Sequence, residues 1–246
     1  TCALPICNVC ANLKVRGVHI HGGYREYIAV PESDVYILPD DLSYEDAVMI
    51  EPATIAVQSC FRAELCKEDT LLILGCGALG SSILKIAKLS GATIIVVDVV
   101  DEKIERAKQN GATYGINLLK EDVVARAREL TGGYGPTVSI DAACTKDSLA
   151  TLLELTGNAG RVITMGFSID PTVVTQFKIT SKELDVRGSR LQNKKFQEVL
   201  NLVKEKNLDL KNSISHTFNY LDAQKAFDFV DSKDPSIRKI VLTFDK

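Results

Sequence analysis

The stretch LLILGCGALGSS carries the residues best suited to chemistry. Gly75, Gly77 and Gly80 form G-x-G-x-x-G between an apolar run and a helical pattern, with Ala78 and Leu79 inside the motif. In a dinucleotide site the first glycine permits a tight turn, the second lets backbone approach a pyrophosphate, and the third allows close helix–strand packing. The anion then rests on the free N–H groups of the helix N-terminus. A second apolar run, TIIVVD, ends at Asp98, where a carboxylate can accept hydrogen bonds from an adenosine ribose. That acid would repel a 2′-phosphate, and Val99 and Val100 bring no cation to hold one, so NAD is favoured over NADP. Lys103, on the helix that follows, either lies along the adenosine or pairs with its acidic neighbours. An acid at this strand end also occurs in S-adenosylmethionine-dependent methyltransferases, which the full glycine spacing disfavours.

The front of the chain, TCALPICNVC, offers a second set of reactive groups. Cys7 and Cys10 make a C-x-x-C, whereas Cys2 and Cys10 make a C-x7-C. His19 and His21 would share one face if their segment were a strand. No third convergent ligand accompanies them, and they read as solvated loop residues. His216 reads as a strand-end residue.

The elements that must position these groups fall into three textures. Residues 1–52 are loop- and strand-like, with short alternating runs broken by Gly22-Gly23, Pro31 and Pro39. Residues 53–187 alternate buried strands and helices. DTLLILG and TIIVVD are strands, LGSSILKIAKL is a helix, and DEKIERAKQNG is a helix with Asp101 as N-cap and Gly111 as its stop. The alternation continues through VSIDAA, KDSLATLLEL, GRVITMGF and ELDVRGS. Residues 188–246 add helices at KFQEVLNLVKEKN and LDAQKAFDFV and a closing strand, IRKIVLTF. Apolar strands separated by helices predict a parallel sheet covered on both faces.

Composition narrows the function classes. Of 246 residues, 46% are hydrophobic and 25% charged, with no Trp and a formal net charge of −3. This balance gives no general pull toward nucleic acid or an anionic membrane, and no apolar run approaches a membrane span. Seven cysteines, an odd number and several within apolar runs, fit reduced thiols. With no signal-peptide pattern, a cytoplasmic location is expected. None of the tyrosines has a lysine four residues on, which excludes the Tyr-x-x-x-Lys pair of short-chain dehydrogenases.

From NVCANLKVRGVHIHGGYREYIAVP through VMIEPATIAV, SIDAACTKDSL, GRVITMGF and ITSKELDVRGSRLQ to ISHTFNYLDAQKAF, the chain resembles the zinc-dependent medium-chain alcohol dehydrogenases. The resemblance is nearest to their sorbitol and threonine dehydrogenase branch and to bacterial starvation-sensing or sugar-acid dehydrogenases. It implies a Rossmann doubly wound parallel sheet of the α/β class, residues 53–187, plus the remainder of a GroES-like β-rich catalytic domain. Residues 1–52 would be the end of that domain with part of a structural zinc lobe, and residues 188–246 its return segment. Cys2 and Cys10 match the last two of the lobe's four cysteines, and Cys7 a non-ligand position. The chain is thus expected to begin at the third ligand, as an N-terminally truncated form.

The resemblance also implies site residues. Glu51 corresponds to the carboxylate that ligates catalytic zinc or hydrogen-bonds its water. Cys144 and Met165-Gly166-Phe167 match segments lining the nicotinamide. Ser189 and Arg190 match positions facing cofactor or substrate, where an arginine suits a polyhydroxylated or carboxylate-bearing substrate and otherwise pairs with a hinge carboxylate. The expected cofactors are NAD and zinc. The expected reaction is hydride transfer between NAD and a secondary alcohol of a polyol or sugar acid, in a homodimer or homotetramer paired through the strand at ELDVRGS. A non-catalytic NAD(H)-binding module is the alternative, and a zinc-free reductase of the same superfamily is disfavoured by Glu51 and the Cys2/Cys10 pair. The 246-residue chain alone is expected to bind NADH without oxidising alcohols.

Overall fold

The computed structural model describes residues 6–206, 208–210, 213–232, 234 and 236–244. Cys2 lies outside them. The chain divides into two compact units, residues 55–189 and residues 1–54 with 190–246.

In the 55–189 unit, continuous aliphatic runs become strands because both faces of each are covered. TLLIL forms β1 (Thr70–Leu74) and TIIVVD forms β2 (Thr93–Asp98), and Leu71, Leu72, Ile73, Ile95 and Val97 have no exposed surface. Full burial of each such side chain contributes about 1.5–3 kcal/mol. Between them runs α3 (Ala78–Ala87), and α4 (Asp101–Gln109) follows β2. The unit continues with β3 (Tyr114–Asn117), α5 (Val123–Leu130), β4 (Val138–Asp141), α6 (Ser148–Leu155), β5 (Arg161–Thr164), α7 (Gln176–Thr180) and β6 (Asp185–Gly188). All six strands pair in parallel in the order β3-β2-β1-β4-β5-β6. The order reverses between β1 and β4, which lie side by side in the middle of the sheet. This is a Rossmann sheet, whose ligand crevice lies at the switch point beyond the strands' carboxyl ends.

One pair in this series escapes the sequence pattern. YGIN and VVARAREL, as β3 and α5, are four and eight residues long, and β3 keeps Tyr114 exposed and contains Gly115. A short strand with two buried residues leaves too little apolar run to be read. A second expectation is corrected: Asp101 is not the N-cap of α4. Val100 holds that position in extended backbone, and Asp101 opens the helix. The Asp101 carboxylate instead accepts from the Asn117 amide and the Lys120 ammonium.

The other unit holds a smaller parallel pair, β7 (His216–Asn219) with β8 (Ile240–Thr243), in the register His216–Ile240 to Asn219–Thr243. Around it are α8 (Phe196–Lys206) and α9 (Ala223–Asp231). Its front part contains α1 (Tyr44–Ala47), capped by Ser43, and the start of α2 (Ile50–Arg62). The alternating runs of residues 22–38 do not form strands. Among the described residues they adopt extended coil and one helical turn at Glu32–Asp34. Alternation becomes a strand only where a ladder partner fixes it, and here Tyr24, Tyr27 and Ile37 remain exposed, Ile37 at 92%.

Candidate cofactor site

The glycine loop is shaped by three separate constraints. Gly75 leaves β1 at φ +99°, a left-handed conformation, and its missing side chain makes room for the loop after β4. A Cβ there would stand 2.8 Å from the Ala143 nitrogen. Gly80, in the first turn of α3, packs its α-carbon on the Gly75 carbonyl, where a Cβ would come within 1.9 Å of the oxygen. Gly77 is the N-cap of α3, and nothing lies within 4 Å of where its Cβ would be. Two glycines are therefore demanded by the chain's own packing. The third leaves an open space at the helix N-terminus, where Ala78 and Leu79 begin the helix.

Asp98, the last residue of β2, is built into the same loop. Its Oδ2 accepts the Cys76 N–H at 2.7 Å, and its Oδ1 accepts those of Val99 and Val100 at 2.8 and 3.0 Å. The carboxylate thus ties the glycine loop to the turn after β2. Cys76 is buried beneath it. Burial, then the Asp98 charge, pushes its thiol up to about 12 against the opposing pull of Lys103 and Arg106. Lys103 is half-buried and, among the described residues, makes no ion pair with its acidic neighbours.

Across the switch point, Asp141 ends β4 with 2% of its surface exposed. Its Oδ1 accepts the Cys144 N–H at 2.8 Å, and its Oδ2 lies 2.7 Å from the Ser148 hydroxyl, which donates there or to the Thr145 carbonyl at 2.8 Å. These bonds hold Cys144 at φ +52°, an uncommon conformation for a non-glycine residue. Burial and then Asp141 push the Cys144 thiol up to about 11, so it stays protonated at neutral pH. Met165, Gly166 and Phe167 follow β5. A Cβ on Gly166 would lie 3.8 Å from the Cys144 α-carbon, Met165 is buried, and Phe167 is 68% exposed. Ser189 follows β6, with its N–H on the Thr164 carbonyl and its buried hydroxyl unpartnered. The fold thus brings the loops after β1, β2, β4 and β5 to one end of the sheet. Asp141 and Ser148, which set the Cys144 turn, are visible as residue types but have no spacing signature.

The remaining candidates lie in the other unit. Glu51 stands in the first turn of α2, where desolvation raises its carboxyl above the ordinary range and the Lys239 charge opposes the rise. Arg190 makes no ion pair among the described residues, and its carbonyl accepts the Asn8 side-chain amide at 2.7 Å. Cys10 ends a helical turn, Cys7–Val9. His19 sits in a turn rather than a strand, its Nδ1 accepting the Val15 N–H at 3.0 Å. Among the described residues no group of three or more His, Cys, Asp or Glu converges as a metal site requires. Those residues do not by themselves fit a zinc ion. No helix among them is long and apolar enough to cross a membrane.

Comparison with known proteins agrees with this geometry. A family model described as zinc-binding dehydrogenase matches residues 78–205. The starvation-sensing protein RspB of Escherichia coli (strain K12) is 34% identical over 247 residues, covering 100% of this chain and 72% of the relative. A zinc-type alcohol dehydrogenase-like protein of Haemophilus influenzae is 32% identical, over 89% of this chain and 64% of its own length. Among solved structures, RspB from E. coli CFT073, described as a short chain alcohol dehydrogenase complexed with NADH, superposes with a TM-score of 0.91. It is 35% identical, over 96% of this chain and 70% of that one. The 2R,3R-butanediol dehydrogenase of Bacillus subtilis gives a TM-score of 0.89 at 26% identity, over 97% and 69%. On the sequence matches and the parallel six-stranded sheet together, this chain belongs to the zinc-binding dehydrogenases, the zinc-type medium-chain alcohol and polyol dehydrogenase superfamily.

Proposed function

We propose that the chain binds NAD(H) at the carboxyl end of its six-stranded sheet and serves a dehydrogenase acting on a secondary alcohol of a polyol or sugar acid. The observation that carries this reading is the coupling of Asp98 to the glycine loop. The group that would accept the ribose hydroxyls also fixes, through the Cys76 N–H, the loop that would receive the pyrophosphate. Residues 53–187 are then the cofactor domain, with residues 1–52 and 188–246 belonging to the catalytic domain.

In this reading the open space at Gly77 and the N–H groups at the start of α3 receive the pyrophosphate. Oδ2 of Asp98, which accepts a single N–H, keeps acceptor capacity for the ribose. The turn at Cys144 and the Met165–Phe167 segment form the wall against the nicotinamide, positioning one face of the ring. The unpartnered Ser189 hydroxyl offers a hydrogen bond to the cofactor. Bound NAD supplies a hydride acceptor at nicotinamide C4. Arg190 suits a substrate carboxylate or polyol, and Glu51, its carboxyl shifted upward, suits a place beside the reacting hydroxyl. The NADH-bound RspB structure, the D-arabitol-phosphate dehydrogenase of Enterococcus avium and the sorbitol dehydrogenase of Halalkalibacterium halodurans support the cofactor and substrate class. Assembly through β6, at the sheet edge, follows from the same reading.

Fluorescence titration of the purified chain with NADH tests the cofactor assignment, and NADH formation with polyols or sugar acids tests turnover. Saturable NADH binding that NAD displaces is expected. Absence of binding at millimolar NADH refutes the reading. Binding without turnover on any polyol, sugar acid or simple secondary alcohol favours the NAD(H)-binding module instead.

A further inference from the structure

The C-x-x-C of residues 7–10 takes no part in the cofactor site, and the fold gives it a definite shape. Cys7–Val9 form a helical turn closed by the Cys10 N–H on the Cys7 carbonyl at 3.2 Å. A turn closed between residues three apart holds their α-carbons within about 7 Å, and a disulfide accepts about 4.4–6.8 Å. In so tight a helical turn, side chains three apart stand one above the other. Cys7 is exposed and Cys10 half-buried, and the other described cysteines, Cys60, Cys66, Cys76 and Cys144, belong to the 55–189 unit. The same turn is fastened to the segment that carries Arg190. The Cys7 N–H donates to Asn193 Oδ1 at 3.2 Å, and the side-chain amide of Asn8, 6% exposed, donates to the Arg190 carbonyl at 2.7 Å. That segment is bent: Leu191 and Lys194 hold φ of +48° and +55°, left-handed values that non-glycine residues seldom adopt. Such conformations persist where their surroundings fix them, and Cys7 and Asn8 supply two of the fixing bonds.

We propose that Cys7 and Cys10 are a modification site, a thiol pair that a small-molecule disulfide such as oxidised glutathione closes into a disulfide within the turn, and that closure tightens the turn's hold on the Arg190 segment. The exposed Cys7 sulfur attacks one sulfur of the oxidant and releases one thiol. Cys10 then attacks the Cys7 sulfur of the mixed disulfide and releases the second. The two protons lost by the cysteines end on the two released thiols, and the cysteines are oxidised as the oxidant's S–S bond is reduced. Closing so short a loop restricts the unfolded chain little. The bond therefore adds little stability and reopens readily, as a regulatory disulfide does. The disulfide stands apart from the dehydrogenase reading. Only its consequence for a substrate, through Arg190, rests on that reading.

The test is to expose the reduced full chain to oxidised glutathione, block the remaining thiols, and map the tryptic peptides with and without dithiothreitol. The peptide of residues 1–14 should lose two hydrogens reversibly, with Cys2 blocked and no fragmentation between Cys7 and Cys10. Cys2→Ser should leave this bridge intact, whereas Cys7→Ser should lower the bridged fraction at least about tenfold. A bridge through Cys2 in the unaltered chain, or glutathione on Cys7 that never gives way to Cys10, would overturn the proposal. Hydrogen exchange reads the second half: the backbone N–H groups of residues 190–194 should exchange at least about threefold more slowly in the oxidised chain. Asn8→Ala should keep the bridge and lose most of that slowing, and Asn193→Ala serves if Asn8→Ala misfolds. Unchanged exchange on oxidation, or equal slowing without these side chains, would overturn the link to Arg190.

Discussion

The loop geometry makes opposite demands on two glycines three residues apart, and the same substitution separates them. A methyl at Gly80 would lie 1.9 Å from the Gly75 carbonyl oxygen and 2.9 Å from its carbon. An ordinary carbon–oxygen contact is about 3.3 Å or longer, so α3 and the loop must part by over 1 Å. Neither side yields easily. The Gly75 N–H is bonded to the Val97 carbonyl at 2.7 Å, and Gly75 is already seated against Ala143. Overpacking of this kind costs about 1–3 kcal/mol. For a chain of this length that lowers the melting temperature by about 2–12 °C. Gly80→Ala should also move the helix N-terminus off its anion position and weaken NADH binding by at least about tenfold, since displacements near 1 Å are costly for positioned groups.

Gly77→Ala should behave otherwise. Its methyl meets nothing within 4 Å, and φ is −71°. Alanine is a poorer N-cap than glycine by a few tenths of a kcal/mol or more, but it restricts the unfolded chain by about 0.4–1 kcal/mol in return. The melting temperature should stay within about 3 °C. NADH binding should nevertheless fall by about thirtyfold or more, because the methyl would occupy the approach proposed for the pyrophosphate. Scanning fluorimetry and NADH titration on the two variants read both quantities. A Gly77→Ala variant that melts as low as Gly80→Ala would refute the structural half of the argument. One that binds NADH normally would refute the functional half.

Other outcomes follow from the polar groups beneath the site. Asp69, which is buried, and the partly buried Arg161 form an ion pair in which Arg161 also donates to the Ala63 and Glu64 carbonyls at 2.7 and 2.9 Å. Asp69→Asn should cost on the order of 3 kcal/mol at pH 7 in urea melts. Burial pushes the Asp69 carboxyl up, but the Cys66 N–H, the Thr137 hydroxyl, the Cys66 thiol and Arg161 outweigh it, leaving a net lowered value. Its contribution is therefore complete above about pH 4 and is lost as pH falls through the lower native value. A penalty for Asp69→Asn that failed to shrink in acid would contradict this. The Lys182 ammonium donates to the Leu153, Glu154 and Thr156 carbonyls at 2.8–3.0 Å, closing the end of α6. Lys182→Met keeps the stem but not the donors and should lower stability by about 2 kcal/mol, measured by the same melts. With thiols at about 12, 12 and 11, Cys60, Cys76 and Cys144 should resist alkylation at pH 8, where about one Cys144 in a thousand is ionised. Peptide mapping that finds Cys144 modified within minutes would show that assignment to be wrong.

What was legible in the sequence follows from how local each demand is. Gly75, Gly80 and Asp98 are fixed by a strand, a turn and a helix that are consecutive in the chain, so their spacing alone announces the tight turn and the carboxylate that ties it down. The strands β1 and β2 are equally plain because burial on both faces requires unbroken aliphatic runs. Other features depend on distant partners. β3 exists because β2 offers it a ladder from Ile95 to Asp98, not because YGIN favours extension. Asp101 has the side chain of an N-cap, but Asn117 and Lys120, sixteen and nineteen residues on, claim its carboxylate. DEKIERAK reads as a solvated helix laced with ion pairs, and for Lys108 with Glu105 it is one, but Asp101 at its head is claimed from outside the helix. A motif thus reports where a dinucleotide can sit, whereas the polar partners that hold the surrounding turns are settled only when distant segments meet.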